Sequence, residues 1–246
     1  MGEIIAVLSG KGGTGKTSVC AGLSIALASG GAKVLSIDCD VGLRNLDISL
    51  GIADSGALSF LDITEGGYDL SQAAVHPDYP TLSFLTAPMN RPVEEIDIDA
   101  FGEMLRAARR SFDYIFLDAA AGVDAGFRLV AQNADRHLIV TGPGPAAVRD
   151  AARVGDLLEL MGKKDVRMIV NRVDKSLLSY LRLTIDDVMD TTGLPLMGVV
   201  LEDPDVVLAA ACGMPLIKYH KRSAAAAGFR RIAKRIQGIP EPITYR

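Results

Sequence analysis

The sequence has 246 residues, of which 49 % are hydrophobic and 23 % are charged, and this balance predicts one globular domain with a substantial core. The formal net charge of −4 gives the chain as a whole no general attraction to nucleic acid, and no apolar run approaches the ~20 residues needed to cross a bilayer. The N-terminus enters a strand pattern directly, and the three cysteines have no C-x-x-C spacing, which predicts reduced and buried thiols. These features predict a soluble, cytoplasmic protein.

Short apolar runs alternate with longer helical patterns along the chain. The predicted strands are 3–8, 33–38, 82–86, 113–118, 135–141, 166–171 and 196–201. The predicted helices are 16–29, 55–63, 97–111, 124–133, 145–161, 177–191 and 223–237. Near-continuous apolar strands that alternate with helices predict an α/β fold: a mostly parallel, twisted sheet of about seven or eight strands with helices on both faces. Because no linker or repeat interrupts the pattern, residues 1–246 are predicted to form a single domain.

The loop after the first strand has the sequence SGKGGTGKT at residues 9–17. Residues 10–17 match G-x-x-x-x-G-K-[ST], the Walker A pattern, and the strand–loop–helix context favours a P-loop NTPase over a turn without a ligand. Lys16 is predicted to neutralise the β- and γ-phosphates and Thr17 to ligate Mg²⁺, while the glycines bring backbone N–H groups to the phosphates. The predicted nucleotide-binding residues of this loop are Gly10, Lys11, Gly12, Gly13, Thr14, Gly15, Lys16, Thr17 and Ser18.

Two predicted strands end in aspartates, at the edge where parallel α/β sheets bind ligands. An apolar strand that closes on an aspartate is the Walker B pattern, so Asp118 is predicted to orient Mg²⁺ through water. Asp40, two residues beyond the strand 33–38, is predicted to position the attacking water and to reach the metal through water. For Asp38 a turn-forming role and a functional role are equally open.

Several segments together resemble the ParA/MinD family, the deviant Walker A ATPases, and the resemblance runs from about Ile4 to Ile236. The segment GLRNLD, at residues 42–47, is more similar to the cell-division members of the family than to its DNA-partition ATPases. The matching segments are SGKGGTGKT, DCDVGLRNLD, DYIFLDAAAGVDAG, VRDA at 148–151, VNR at 170–172 and VVLEDPDVV at 199–207.

On this resemblance the cofactors are ATP and Mg²⁺, and the active unit is an ATP-dependent homodimer. Lys11 corresponds to the family's signature lysine, which crosses the dimer interface and contacts the nucleotide of the other subunit. Lys11, Lys16 and Asp40 are therefore expected to be catalytic, with Asp40 as the switch I aspartate and Asp118 as the switch II aspartate. The residues alone leave a second interpretation of Lys11, as a solvated loop lysine.

The resemblance also implies roles near the base and at a partner surface. Asn171 corresponds to the asparagine that reads adenine, and Arg172 follows it in the expected nucleotide site. Asp150 corresponds to an aspartate of the dimer and partner surface, where a protein activator or effector of the MinE/MinC type is expected to bind. The implied function is a partner-stimulated ATPase that acts as a switch in spatial positioning during cell division, and DNA is not an expected partner.

The sequence departs from the family pattern at three places. Residues 119–121 are all alanine where the family usually has a proline, which predicts a more flexible switch II and leaves the rate of hydrolysis open. Leu201 replaces the proline of the family's Pro-Glu-Asp segment. The final residues, 238–246, contain two prolines and no pattern of an amphipathic helix, so membrane binding is expected to be weak, salt-sensitive and peripheral, unless a native tail has been trimmed.

Other functions stay open at this point. The sequence NRVD at 171–174 is similar to the guanine-reading N-K-x-D motif, in which Asp174 would accept from the base, so GTP is the rival nucleotide. The segment 206–240 has seven lysines and arginines and no acid, which fits a solvated helix face or a surface for DNA or anionic lipid. Related partition and flagellar-number ATPases, and a nucleotide-gated scaffold that scarcely hydrolyses ATP, are the alternative functions.

Overall fold

The structure is a computed structural model that describes residues 1–41, 43–53, 55–89 and 91–244. Gly42 of the segment 38–47, and the last two residues of the stretch 238–246, lie outside the described residues. The strands are β1 (Glu3–Leu8), β2 (Val34–Cys39), β3 (Ala74–His76), β4 (Tyr79–Leu85), β5 (Tyr114–Ala119), β6 (Arg136–Thr141), β7 (Asp165–Val173) and β8 (Leu196–Leu201).

Helices and two short 3₁₀ turns connect these strands. The helices are α1 (Lys16–Ser29), α2 (Leu46–Leu50), α3 (Phe60–Thr64), α4 (Ile98–Ala108), α5 (Ala125–Asn133), α6 (Pro145–Leu160), α7 (Lys175–Leu181), α8 (Ile185–Thr192), α9 (Asp205–Ala211), α10 (Leu216–Tyr219) and α11 (Ala224–Ile236). The 3₁₀ turns are Leu70–Gln72 and Val93–Glu95. Within the described residues, no helix is long and apolar enough to cross a lipid bilayer.

The described strands form one eight-stranded sheet in the order β3-β4-β2-β5-β1-β6-β7-β8. Every neighbouring pair is parallel except β3 and β4, which pair antiparallel at one edge. Strand β1 lies between β5 and β6, so the loop that follows it leaves from the middle of the sheet. The predicted α/β fold, with a mostly parallel sheet of about seven or eight strands, is confirmed.

The two largest hydrophobic clusters of the described residues lie on opposite faces of the sheet, and a third, smaller cluster lies around β7, β8 and α8. Alternate side chains of β1 enter different cores because successive residues of a strand point to opposite faces. Ile5 and Val7 lie in the core shared with α1 and α11, while Ile4 and Leu8 lie in the core shared with α4, α5 and α6. The predicted helical layers on both faces are confirmed.

Two predicted helices differ most from the structure, and the ends of the other predicted helices lie within three residues of the observed ends. The prediction 55–63 was wrong at its start, because Ser59 forms a capping box with Asp62 and α3 begins only at Phe60. The prediction 177–191 was wrong in its continuity. Arg182, with φ of 54°, ends α7, and a new capping box at Thr184 begins α8.

Four short elements among the described residues, β3, α2, α9 and α10, were not predicted from the sequence. Each spans seven residues or fewer, and so short a segment has too few repeats of its period to be recognised.

The cysteines and histidines are mostly structural. Cys20 and Cys39 are buried as predicted, but Cys212 is exposed because it follows the end of α9 on the surface. Burial lowers the pKa of His76, whose Nε2 lies 2.8 Å from the Leu50 carbonyl, so this ring links β3 to α2. His137 is likewise buried against a backbone carbonyl, with a lowered pKa, and His220 pairs with Asp205 at the surface.

The apolar side of α11 packs into the core. A Cβ atom at Gly22 of α1 would lie 2.3 Å from the ring of Phe229, and one at Gly198 of β8 would lie 2.4 Å from Ile232. Because neither glycine has a Cβ atom, the large side chains of α11 can pack directly against the backbone of α1 and β8. Phe229 and Ile232 on this side of the helix are buried, whereas Ala224 is exposed.

Replacing Phe229 with alanine should lower the free energy of unfolding by about 3 kcal/mol, because it leaves a cavity against α1. Urea unfolding without nucleotide measures this change. Lys234→Ala, on the exposed side of the same helix, is the control and should change the free energy by less than about 0.5 kcal/mol. Equal stability of the Phe229→Ala and native chains would mean that α11 is not part of the core.

Candidate functional site

The phosphate-loop residues 10–17 join β1 to α1 at the middle of the sheet. Gly13 and Gly15 have φ angles of 81° and 83°, which glycine adopts without strain. A Cβ atom at Gly15 would lie 2.3 Å from Nδ2 of Asn171, so a larger residue would also collide there. Among the described residues no side chain caps the start of α1, which leaves the first backbone N–H groups of this helix free to bind an anion.

A buried ion pair joins the loop to the neighbouring strand. The Nζ atom of Lys16 lies 2.7 Å from Oδ1 of Asp118, and the two side chains are only 7 % and 1 % exposed. Burial acts to lower the pKa of Lys16, but the charge of Asp118 and the hydrogen bond to it outweigh burial, and the net shift is upward. Lys16 is therefore held as a cation at the position where the phosphates are predicted to bind.

The second oxygen of Asp118 fits a metal shell. Oδ2 of Asp118 is buried and has no hydrogen-bond partner among the described residues, as is also true of the Thr14 hydroxyl. Within the same residues, no group of three or more His, Cys, Asp or Glu side chains could hold a metal alone. A hard cation at this site would therefore take most of its oxygen ligands from the nucleotide and water, and Thr17 would be its protein ligand. Proteins usually bind Mg²⁺ with few protein ligands in this way.

Asp38 lies opposite Asp118 in the register of β2 and β5 and is fully buried. Burial, and secondly the charge of Asp118, raise the pKa of Asp38 to about 6. Its carboxylate accepts hydrogen bonds from the backbone N–H groups of Asp40, Asn45 and Leu46 at 2.9 to 3.0 Å. Of the two roles left open, the geometry favours the turn-forming one, because these bonds fold the segment after β2 and begin α2.

This turn carries Asp40 to the phosphate loop. Asp40 is half-buried, and burial raises the pKa of its carboxyl while the charge of Lys16 acts in the opposite direction. The carboxylates of Asp40 and Asp118 both lie within electrostatic reach of Lys16. The structure thus brings the four charged groups predicted from strand ends and loop into one cluster, while the catalytic role of Asp40 stays a prediction.

The alanine segment after Asp118 is partly tied to the phosphate loop. Ala119 still belongs to β5 and pairs with Cys39, and the backbone N–H of Gly122 donates to the Ser9 carbonyl at 3.0 Å. This bond joins switch II to the residue before the Walker A motif. The predicted effect of the missing proline on flexibility stays a prediction.

An open hollow lies beside the loop, between α1, the end of β7 and α9, and its volume is about 540 Å³ when the solvent space at its mouth is included. The side-chain amide of Asn171 donates to the Thr14 carbonyl at 2.8 Å, so Asn171 contacts the loop itself. Leu201 contributes an apolar side chain where the family has proline. The hollow is lined by Gly15, Ser18, Asn171, Arg172, Leu201, Glu202, Asp203, Val206, Val207 and Phe229, and its mixed apolar and polar walls fit a planar base.

Asp174 does not share this hollow. Its carboxylate accepts from the backbone N–H groups of Ser176 and Leu177, at 2.8 and 3.2 Å, and so caps the start of α7. It lines a different hollow, around Lys11. The geometry therefore disfavours the N-K-x-D interpretation, in which this aspartate would read guanine beside Asn171.

Lys11 is exposed at the surface of the loop. It lines an open hollow with Gly142, Gly144 and Arg172. The neighbouring Gly10 packs against α6, where an added Cβ atom would lie 2.6 Å from the Asp150 carbonyl oxygen. The predicted partner residue Asp150 thus packs against the residue that precedes Lys11, and the roles of Lys11 and Asp150 stay predictions.

The basic segment 206–240 is partly neutralised by acids elsewhere in the chain. Lys218 forms an ion pair with Asp78 at 2.8 Å, and Lys234 pairs with Glu241 at 3.1 Å. These contacts favour the solvated-face interpretation over a surface for DNA or lipid phosphates.

The comparisons with known proteins agree on one family. The family model described as CobQ/CobB/MinD/ParA nucleotide binding domain matches residues 5–216. A septum site-determining protein MinD from Synechocystis is 36 % identical over 98 % of this chain and 92 % of its own length. The structure of a MinC:MinD cell division protein complex from Aquifex aeolicus has a TM-score of 0.91 and 33 % identity, with 98 % of both chains covered. MinD from Pyrococcus horikoshii, solved with Mg-ADP, has a TM-score of 0.83 and 29 % identity, with 96 % of both chains covered.

Replacing Lys16 with methionine should destabilise the nucleotide-free chain, because Asp38 and Asp118 then become buried neighbouring carboxylates without a cation. Breaking one side of a buried ion pair typically costs about 3–5 kcal/mol. Adding Asp118→Asn to the same chain removes one of the two charges and should recover part of the loss. Urea unfolding at neutral pH measures both variants, and Lys164→Met, at an exposed lysine, is the control. A double variant that is less stable than Lys16→Met would contradict this description of the cluster.

Proposed function

The chain belongs to the CobQ/CobB/MinD/ParA family of nucleotide-binding domains, and on that premise we propose that it is a MinD-like ATPase. It binds Mg·ATP, dimerises on ATP and hydrolyses it as a switch for spatial positioning in cell division. The observation that carries the proposal is the Walker A loop with its second, exposed lysine, Lys11, in a chain that is 36 % identical to a MinD protein over nearly its whole length.

Nucleotide binding uses the loop and the buried ion pair. The backbone N–H groups of the loop and the start of α1 bind the phosphates, and Lys16 exchanges its contact with Asp118 for phosphate oxygens. Thr17, and Asp118 through water, would hold Mg²⁺, which would supply charge neutralisation of the phosphates. Without its contact to Lys16, the carboxylate of Asp118 would be available to water molecules around a bound Mg²⁺. Asn171 and Arg172 lie beside the base hollow that would take adenine.

Asp40 positions the attacking water in the proposed hydrolysis. Its raised pKa and its position beside Lys16 suit a carboxylate that holds and orients a water near the terminal phosphate. The bond from Gly122 to Ser9 ties the segment after Asp118 to the same loop, which supports coupling of this segment to the phosphate site.

Dimerisation completes the site with Lys11 from a second copy of the chain. The support for this step is the exposure of Lys11, because Lys16 already serves the phosphates of its own subunit and a second lysine would only add repulsion there. A MinC-type partner is proposed at the surface around Asp150, since a relative of this chain was solved as a MinC:MinD complex.

A second candidate function is a nucleotide-gated scaffold that dimerises on ATP but scarcely hydrolyses it. The observation that favours it is the run of alanines at 119–121, where the family usually has a proline in switch II. The two candidates differ in turnover and agree on binding and dimerisation.

Lys16→Ala should abolish binding of Mg·ATP, because it removes the main phosphate cation. Isothermal titration of the native chain should also give tighter binding for ATP than for GTP, and Asp174→Ala should leave this preference unchanged. Retained ATP affinity in Lys16→Ala would contradict the assignment of the loop. A native preference for GTP that Asp174→Ala abolishes would instead establish the guanine site.

Lys11→Ala should bind ATP and stay monomeric, because the lysine acts across the interface. Asp40→Ala should form an ATP-bound dimer that hydrolyses poorly, because only the water-positioning group is lost. Light scattering with ATP, with ADP and without nucleotide measures the mass of each species, and Lys164→Ala is the matched exposed-lysine control. A Lys11→Ala chain that dimerises and hydrolyses like the control would return Lys11 to the status of a solvated loop lysine.

A further inference from the structure

The end of β7 holds the phosphate loop through two consecutive side chains. The amide of Asn171 donates to the Thr14 carbonyl at 2.8 Å, and Nη1 of Arg172 donates to the Gly13 carbonyl at 3.2 Å. Both bonds run between segments more than 150 residues apart in sequence. Neighbouring residues of one strand thus contact neighbouring carbonyls of the loop.

Arg172 is itself held in a defined position. Its Nε and Nη2 atoms donate to the two carboxylate oxygens of Glu202 at 2.8 and 3.3 Å, which is the forked geometry of a bidentate pair. Its backbone has a φ of 58°, an uncommon conformation for any residue other than glycine, asparagine or aspartate. Strained positions of this kind persist where the surrounding contacts fix them, and they cluster at functional sites.

These contacts control the direction of the backbone N–H groups that bind phosphate. In a trans peptide group the C=O and the following N–H point in opposite directions. Directing the Gly13 carbonyl toward Arg172 therefore directs the N–H of Thr14 the opposite way, and the bond from Asn171 does the same for the N–H of Gly15. The free rotation that glycine allows at Gly13 and Gly15 makes such external bonds necessary for a single loop conformation.

We infer that Arg172, held by Glu202, is a positioning residue that works with Asn171 to orient the peptide groups of the phosphate loop. The inference rests on the proposed function, because it concerns how tightly the loop binds phosphate. It differs from the expected role of these residues in the base site, since it predicts an effect on ligands that have no base. Arg172 and Glu202 are 56 % and 44 % exposed as side chains, so their pair contributes little to overall stability.

A substitution of Glu202 distinguishes a positioning role of this residue from an effect of net charge on anion binding. Removing an acid near a phosphate site strengthens anion binding if only the net charge matters. Removing Glu202 weakens binding if its function is to hold the guanidinium of Arg172 on the Gly13 carbonyl. The two explanations therefore predict changes of opposite sign.

The experiment measures the affinities of Mg·ATP and of Mg·tripolyphosphate, which has no base or sugar, by competition with a fluorescent ADP. Arg172→Ala and Glu202→Ala should each weaken both ligands by about tenfold, the effect of one lost charge-assisted hydrogen bond. Arg182→Ala is the matched control, because Arg182 is also an exposed arginine with a left-handed φ, 54°. The affinities of this variant should stay within about twofold of native, the scatter expected for a substitution remote from the site. Urea midpoints of all variants should match the native chain.

Each outcome decides the inference. Loss of affinity for both ligands in Arg172→Ala and Glu202→Ala, with the control unchanged, supports positioning of the loop. A Glu202→Ala chain that binds either ligand as tightly as native or more tightly overturns it, and so does a loss confined to Mg·ATP, which would show a contact with the base. If the native chain binds neither ligand, the proposed function fails first and the inference fails with it.

Discussion

The ion pair between Lys16 and Asp118 joins the phosphate loop to the strand beside it, at the middle of the sheet. Burial of either an ammonium or a carboxylate alone carries a large free-energy penalty, so these two groups are stable in the sheet only when they are in contact with each other. The order of strands makes that possible, because β5 pairs directly with β1 and aligns Asp118 with Val7, just before the loop. The same pairing presents Asp38 of β2 to Asp118 and turns Asp40 toward the loop.

The chemistry of the site follows from this arrangement. Parallel strands bring their carboxyl ends to one edge, and the loops after β1, β2, β5, β7 and β8 meet there. Without nucleotide, Lys16 and Asp118 neutralise each other. When a nucleotide and its metal bind, phosphate would replace Asp118 as the partner of Lys16, and the metal would replace Lys16 as the partner of Asp118. Neither buried charge would be left without an opposite charge. The hydrogen bonds from Asn171 and Arg172 connect the end of β7 to the phosphate loop.

The sequence was sufficient to predict the fold class and the position of the phosphate loop, because the alternation of strands and helices spans the chain and the Walker A spacing is specific. It could not assign Asp38, since a turn-forming and a catalytic aspartate look the same at a strand end until their hydrogen bonds are seen. It missed the break at Arg182, because a left-handed arginine has no sequence signal, and it assigned Arg172 to the base site without its contacts to Glu202 and Gly13. The roles of the site residues stay predictions.

The central claim is that two copies of the chain share each active site, with Lys11 supplied by one and Asp40 by the other. The most direct test mixes Lys11→Ala with Asp40→Ala and measures ATP hydrolysis. A mixed dimer contains one site with Asp40 from the first chain and Lys11 from the second. The mixture should therefore hydrolyse ATP faster than either variant alone. A mixture as inactive as its separate components, under conditions in which the mixed dimer forms, would contradict it.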